Sequence, residues 1–361
     1  MKCTAAVLLF EIILATNSVS NDQSDSDSEK VPLEHDVKFS VNIYKFLATK
    51  GKKNFVVSPI SAKLILSLIA EGAASDTLSE ITEYLGITQH EQDLIARIGN
   101  SLNDSNGVCQ IVSANKVYIS DDYEVNETFN YTSLHKYNST VEVVDFKTPE
   151  KVSVLINEWV EDHSNGKIQN LIHAAELHAA TIILVNVIYF SATWAKQFRP
   201  KNTSEEKFYT SKGKHKEVLM MKMSRHTASF WHSKELEVKF LQLPFTTEKF
   251  TMTFILPDAK DGLSLQAPIE KYLNHKEFSM RKVRISIPKF STEISLDLVP
   301  FLKQEGIKTL FSSSADLTGV SPKKGLSVSS LQQKVLINVT EKGVEATSAT
   351  YGKQISSIYH T

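Results

Sequence analysis

The chain is poor in cysteine, has almost no net charge, and lacks any unbroken apolar stretch of the ~20 residues needed to cross a bilayer. Its two cysteines are Cys3 and Cys109. Cys3 lies in an expected export leader, so Cys109 would stand alone and a disulfide framework is excluded. Cys109, within Val108-Cys109-Gln110-Ile111-Val112, reads as a strand residue, with a reactive thiol as the alternative. Lys and Arg number 40 against 41 Asp and Glu, a net charge of −1. Overall electrostatics therefore give no drive toward nucleic acid or an anionic membrane, and neither is an expected partner. No Pro/Gly-rich break divides the 361 residues, so one large domain is expected. Catalytic signatures are missing as well: no Gly-X-Ser-X-Gly elbow, phosphate-cradling loop or dinucleotide fingerprint occurs. His173 and His178 are five residues apart and would not share a helical face, so they read as loop or helix-end residues; no metal or cofactor is expected. With no catalytic constellation, an enzyme is the least supported reading.

What is present begins with a basic start, Met1-Lys2, an apolar run over Thr4–Phe10 and Ile12–Ala15 broken by Glu11, and small residues at Ser18-Val19-Ser20. This pattern predicts a secretory signal over residues 1–20, with an amphipathic or anchored first helix as the alternative. Residues 21–34, rich in Asp and Ser, predict a disordered acidic leader, and the folded domain is expected over 35–361. Asn-X-Ser/Thr sequons at Asn103, Asn126, Asn130, Asn138 and Asn202 suit a secreted glycoprotein. A further match, Asn338-Val339-Thr340, falls in an expected buried strand and is set aside.

Apolar residues at helical spacing run through Phe39, Val41, Ile43, Tyr44 and Leu47, and again through Leu64, Ile65, Leu68 and Ile69 after Ser58-Pro59. A third helix is expected from Thr77 to Leu85, a strand over Val112–Ile119, and an amphipathic helix from Val152 to His163 stopped at Asn165-Gly166. Ala180–Phe190 is almost continuously apolar, as befits a central strand buried on both faces. Asn186 inside it is costly to bury without partners.

Near the carboxyl end, the β-branched run Lys334–Val339 is interrupted by Glu341-Lys342-Gly343. Gly343 can serve as a hinge. Beyond it, a strand would carry the compact residues Val344, Ala346, Ser348 and Thr350 on one face and Glu345, Thr347 and Ala349 on the other. That pattern suits insertion between existing strands, or alternatively a flexible tail.

The Glu341–Ala349 segment resembles the reactive-loop hinge of the serpins, with Val344 where that family usually has Thr. Ser58-Pro59-Ile60-Ser61, Glu71-Gly72-Ala73, Thr77–Ile81, Trp194, Thr203, Phe208, Val218–Met221, Leu243-Pro244-Phe245, Ile287–Phe290 and Ala315–Gly319 follow in the family's order. The resemblance covers residues 35–349. It implies an α+β serpin-like single domain with a large central mixed sheet, further sheets and a helical cap. It places Ser58, Ser61, Asn186 and Gln333 in a polar shutter where the central strands part, Gln333 standing where the family's histidine would be. A structural network without gating is the alternative. Trp194 and Thr203 fall at the breach above it.

By the same resemblance the hinge and reactive loop occupy 341–361, and the bait bond falls at Ser357-Ile358, with Lys353 as the competing site. The expected function is a secreted suicide inhibitor of a serine protease, monomeric. Heparin activation is not expected, because the Leu94–Leu102 helix offers only Arg97. The family's strands beyond the loop have no counterpart before Thr361, which suggests a truncated member. A non-inhibitory binding or decoy protein is the alternative.

Overall fold

In a computed structural model of the chain, residues 7–9, 33–50, 54–102, 109–209, 215–246, 250–258 and 277–344 are described. Helices α1 (Leu33–Thr49), α2 (Pro59–Ala70), α3 (Ser75–Leu85) and α4 (Gln89–Leu102) come first after a short amino-terminal strand β1 (Val7–Leu9). Helix α2 starts where proline is tolerated, at the first turn, and the Ser58 side chain accepts from the Ser61 N–H as its cap. From Ser61 to Ala70 every residue of α2 is buried, so α2 is a core helix around which the other helices pack. Gly86 ends α3 in the left-handed conformation (φ 62°) that closes a helix without a Cβ penalty.

Strand β2 (Cys109–Ser120) leads to α5 (Glu127–Tyr137), β3 (Thr140–Val144), α6 (Pro149–His163) and β4 (Ile182–Thr193). Next come β5 (Ser204–Tyr209), the 19-residue β6 (His215–Ser233), β7 (Val238–Pro244), β8 (Thr251–Pro257), β9 (Ser279–Pro288), β10 (Phe290–Asp297), α7 (Val299–Gln304), β11 (Val328–Val339) and β12 (Gly343–Val344). The expected helices lie within these elements, with α1 beginning at Leu33, two residues inside the expected leader. The continuous apolar run is β4, which starts at Ile182 rather than Ala180 and is buried along nearly its whole length, and the strand expected beyond Gly343 is described only as far as Val344.

One six-stranded sheet has the order β10-β11-β12-β4-β2-β3, with β11 also paired to β4 directly. Its lower half is covered on both faces. Ile182, Leu184, Val117 and Leu331 pack with α1 to α5 and α7 on one side. Ile183, Val185, Val187 and Tyr118 pack under α6 on the other. Opposite faces of β4 thus serve two cores, which is why its sequence is a run rather than an alternation. The second sheet runs β1-β8-β7-β6-β5, with β9 also on β6. Its inner face meets the upper half of the first sheet in a third core containing Phe190, Trp194, Met221, Phe245, Ile287, Val339 and Val344. Val7–Leu9, within the stretch expected as an export leader, pairs antiparallel with Thr253–Ile255 of β8.

Candidate functional site

The chemistry of interest lies where β11 and β4 part. From Val328 to Leu336, β11 runs parallel to Ile182–Tyr189 of β4. Above this ladder β12 enters between them: Val344 pairs with Val339 on one side and Ala192 on the other, and Gly343 pairs with Thr193. Two residues of a third, antiparallel strand therefore already wedge the seam open at its top.

The wedge is fixed by the turn that precedes it. The Thr340 N–H donates to the Gly343 carbonyl at 2.8 Å, and the Thr340 hydroxyl donates to the same oxygen at 3.1 Å. The end of β4 and the segment after it grip this turn through backbone bonds, Trp194 N–H to the Lys342 carbonyl and Phe198 N–H to the Glu341 carbonyl at 2.9 and 2.8 Å. The Trp194 indole donates to the Thr340 carbonyl at 3.0 Å while its ring stacks on Phe245. Glycine is required at 343 for space, because a Cβ there would overlap the Ala192 carbonyl oxygen. Val344, in place of the usual threonine, is fully buried in the core between the sheets.

Glu341 anchors the turn by its side chain. Thr203 donates to it at 2.9 Å and the Lys289 ammonium at 3.0 Å. Burial pushes its carboxyl up, but the bonds from its own backbone N–H, Lys289 and Thr203 outweigh this and hold it below the ordinary glutamate range. A depressed carboxyl contributes stability above its unfolded value of about 4.3 and loses that contribution as pH falls from there through the folded value. The N–H groups of Thr340, Trp194 and Phe198, which make the turn's backbone bonds, should accordingly lose protection against hydrogen exchange in wild type below about pH 4. Glu341→Gln should exchange quickly already at neutral pH, with no added acid step; identical profiles would remove Glu341 from the anchor.

About halfway down the seam lies the polar cluster. Gln333 and Asn186, paired in register across β11 and β4, are both fully buried. The Gln333 amide nitrogen donates to Asn186 Oδ1 at 2.9 Å and to the Ser58 carbonyl at 3.1 Å, and its Oε1 accepts from the Ser58 N–H at 2.9 Å. Asn186 Nδ2 in turn donates to Asn115 Oδ1 at 2.7 Å. Ser61 bonds to Ser58 and to Ser113, each at 3.1 Å. The structure thus brings Ser58, Ser61, Asn186 and Gln333 together, joined by Asn115 and Ser113 of β2. Gln333 uses both ends of its amide.

Next along β11, the nearly buried Lys334 points to the other face, where its ammonium donates to the Gln169 carbonyl and pairs with Glu293 at 2.8 Å. Gln169 belongs to the connection from α6 into β4, so this cation ties β11 to the covering segment. Trp194 and Thr203 both touch the turn. Asn126 caps α5, while Asn130, Asn138 and Asn202 are exposed. Asn103 and the loop residues Glu345, Ala346, Thr347, Ser348, Ala349, Lys353, Ser357 and Ile358 lie outside the described residues. Among the described residues, no group of His, Cys, Asp or Glu is placed to hold a metal ion, and no helix is long and apolar enough to cross a membrane.

A mixed sheet parted at its top by the chain that follows its own β11 is the architecture of the serpins, and the chain belongs to that family. The model of that family, described as serpin (serine protease inhibitor), matches residues 34–360. The match nearly reaches the end of the sequence and so gives no support to a truncated member. Serine protease inhibitor 42Dd of Drosophila melanogaster is 31% identical over 86% of this chain and 85% of its own. Human Serpin B3 is 30% identical over 88% of both chains. Among solved structures, Serpin48 of the insect Tenebrio molitor superposes with a TM-score of 0.82 at 31% identity, covering 89% of each chain. Thyroxine-binding globulin in complex with thyroxine gives 0.78 at 25% identity, covering 89% of this chain and 90% of that one.

Proposed function

We propose that the protein is a secreted, monomeric inhibitor of serine proteases that works as a suicide substrate. The observation that carries this reading is the β12 wedge between β11 and β4. Each further residue of the loop laid antiparallel along β4 would descend one residue, so the ten after Val344 would reach from Ala192 to Ile182. Residues 345–354 would then replace one parallel ladder by two antiparallel ones, the better-aligned pairing. In that register Ala346, Ser348 and Thr350 would follow Val344 on one face, with Thr350 level with Asn186.

The target's serine hydroxyl would attack the Ser357 carbonyl carbon. The Ile358 amine would leave with a proton from the protease's own base, and an ester would link enzyme to Ser357. Insertion of 345–354 would then draw the bound protease along the sheet before water cleaves the ester. The register also bears on which bond can trap. An enzyme held at Ser357 sits three residues beyond the filled seam, whereas one held at Lys353 would have to enter the seam to fill it. A trypsin-like protease should therefore cut at Lys353 and be released.

The test is incubation with elastase-like and trypsin-like proteases, followed by denaturing electrophoresis and mass spectrometry. An SDS-resistant adduct with its acyl bond at Ser357 is expected, with Lys353 found only in released fragments. Clean turnover with every serine protease would sink the inhibitor and favour the second reading, a non-inhibitory binding protein, which the likeness to thyroxine-binding globulin supports. Secretion is read separately, by whether the chain's own amino end exports it from a eukaryotic cell.

A further inference from the structure

Among the described residues, the exposed large apolar side chains are Tyr131, Leu134, Val143, Val154, Leu219 and Met280. The first four come from consecutive elements, α5, β3 and α6. Tyr131 is 65% exposed, Leu134 48% and Val143 50%. Helix α5 turns Phe129, Ser133 and Tyr137 inward, and Asn130, Leu134 and Asn138 follow at the same four-residue spacing along its outer side. Tyr131 and His135 stack at 4.0 Å to form a flat aromatic platform on that helix. Beside it, β3 is the last strand of the large sheet, with β2 on one side and no described strand on the other. An open edge carrying an exposed valine invites pairing with another chain, and the exposed Tyr131 and Leu134 of the helix that leads into it add apolar surface that a cover would shield.

Two sequons sit where a cover would attach. Asn130-Tyr131-Thr132 lies on the outer face of α5, and Asn138-Ser139-Thr140 joins the end of α5 to the start of β3. Asn138 is exposed in the left-handed conformation (φ 48°), and its turn is rigid. The Ser133 hydroxyl donates to the Ser139 carbonyl at 2.8 Å, and the Ser139 hydroxyl donates to the Asn115 carbonyl at 3.0 Å. These bonds, with the Asn138 backbone N–H donating to the Ser133 carbonyl, fix the turn that leads into β3, from which Asn138 is exposed. Asn126 is different: half-buried, it uses its Oδ1 to accept from the Thr128 N–H at 2.9 Å.

We propose that Asn130 and Asn138 carry N-linked glycans that lie over Tyr131 and Leu134 and screen the β3 edge, keeping the large sheet from pairing with a second copy. The proposal rests on the secretory reading of the chain. The modifying step uses a lipid-linked oligosaccharide: Asn Nδ2 forms a bond to the sugar's C1, the C1–O bond to the lipid pyrophosphate breaks, and one amide proton is given up. The Oδ1 that caps α5 belongs to Asn126, so modifying Asn130 and Asn138 leaves that cap in place. The C–H faces of the first sugars can then lie on the Tyr131–His135 platform.

The full chain should be expressed in eukaryotic cells under a foreign export leader, so that entry does not depend on its own amino end. Site mapping after endoglycosidase release is expected to find both asparagines modified. Sedimentation should show a monomer for wild type and for Thr132→Ser/Thr140→Ser, which keeps both sequons. Thr132→Ala/Thr140→Ala, which removes them, should self-associate, as should Asn130→Gln/Asn138→Gln. Adding Val143→Lys to either sequon-free variant should restore the monomer. Unmodified asparagines in the exported protein, or sequon-free variants that stay monomeric at the same concentration, would overturn the proposal. Failure of export under the chain's own amino end alone would overturn only the secretory reading.

Discussion

Replacing Gly343 by valine should turn the inhibitor into a plain substrate. A branched side chain at this position must displace the Ala192 carbonyl and the Thr193 backbone, which are part of the β4 ladder and cannot swing aside. Forcing such an overlap costs roughly 3 kcal/mol, about a hundredfold in the equilibrium between seated and released wedge. Cutting by the protease should continue at an unchanged rate, because the bait bond lies far along the chain, while the yield of SDS-resistant complex collapses. Gly343→Ala, whose Cβ already meets the Ala192 carbonyl oxygen, should lose most of the complex as well. The midpoint of thermal unfolding should fall as well, because releasing β12 takes the buried Val344 out of the core between the sheets. A Gly343→Val protein that traps protease as well as wild type would show that insertion does not start from this wedge.

The second large effect is expected at Asn186. Asn186→Leu keeps the branched outline of the side chain but removes a donor from Asn115 and an acceptor from Gln333 in a fully buried cluster. Each orphaned group costs about 1–3 kcal/mol, so a loss of about 4 kcal/mol is expected, concentrated at the seam. Chemical denaturation should show the lower stability, and hydrogen exchange should place the early opening in Gln332–Leu336 and Val185–Tyr189. Gln333→His is the milder counterpart. Imidazole can keep at most two of the three bonds that Gln333 makes to Ser58 and Asn186, so the loss should be about 1 kcal/mol. A stable Asn186→Leu protein with uniform exchange would reduce the cluster to ordinary packing.

Much of this site could be read from the sequence because it violates local expectation. Asn186 stands out as the polar residue of an apolar run, Gly343 as the break after a β-branched one, and Ser58 by its place before Pro59. Asn115 and Ser113 were not distinguishable in the same way. They sit in a strand that tolerates polar residues on alternate positions, and only the β2–β4 register brings Asn115 opposite Asn186. Lys334 and Lys289 were hidden for another reason. Lysine in a β-branched run or after Ile287-Pro288 looks like a solvated charge, and its partners Gln169, Glu293 and Glu341 are remote in sequence. The second sheet was legible only in pieces, such as Val218–Met221, because β6 changes neighbours along its length, with β5 beside its first part and β7 beside its last. The open edge of β3 depends on where a five-residue strand docks, which periodicity cannot reveal.

Thermal unfolding of the protein before and after the loop is cut puts the insertion seam itself to the test. If residues 345–354 enter between β11 and β4, the cut protein must unfold at a distinctly higher temperature than the intact one, and Gly343→Val must lose most of that gain. Hydrogen exchange on the same samples should find protection raised in β4 from Ile182 to Thr193 and in β11 from Val328 to Val339. A cut protein that unfolds at the same temperature as the intact chain, with unchanged exchange in those two strands, would contradict strand insertion as the basis of its function.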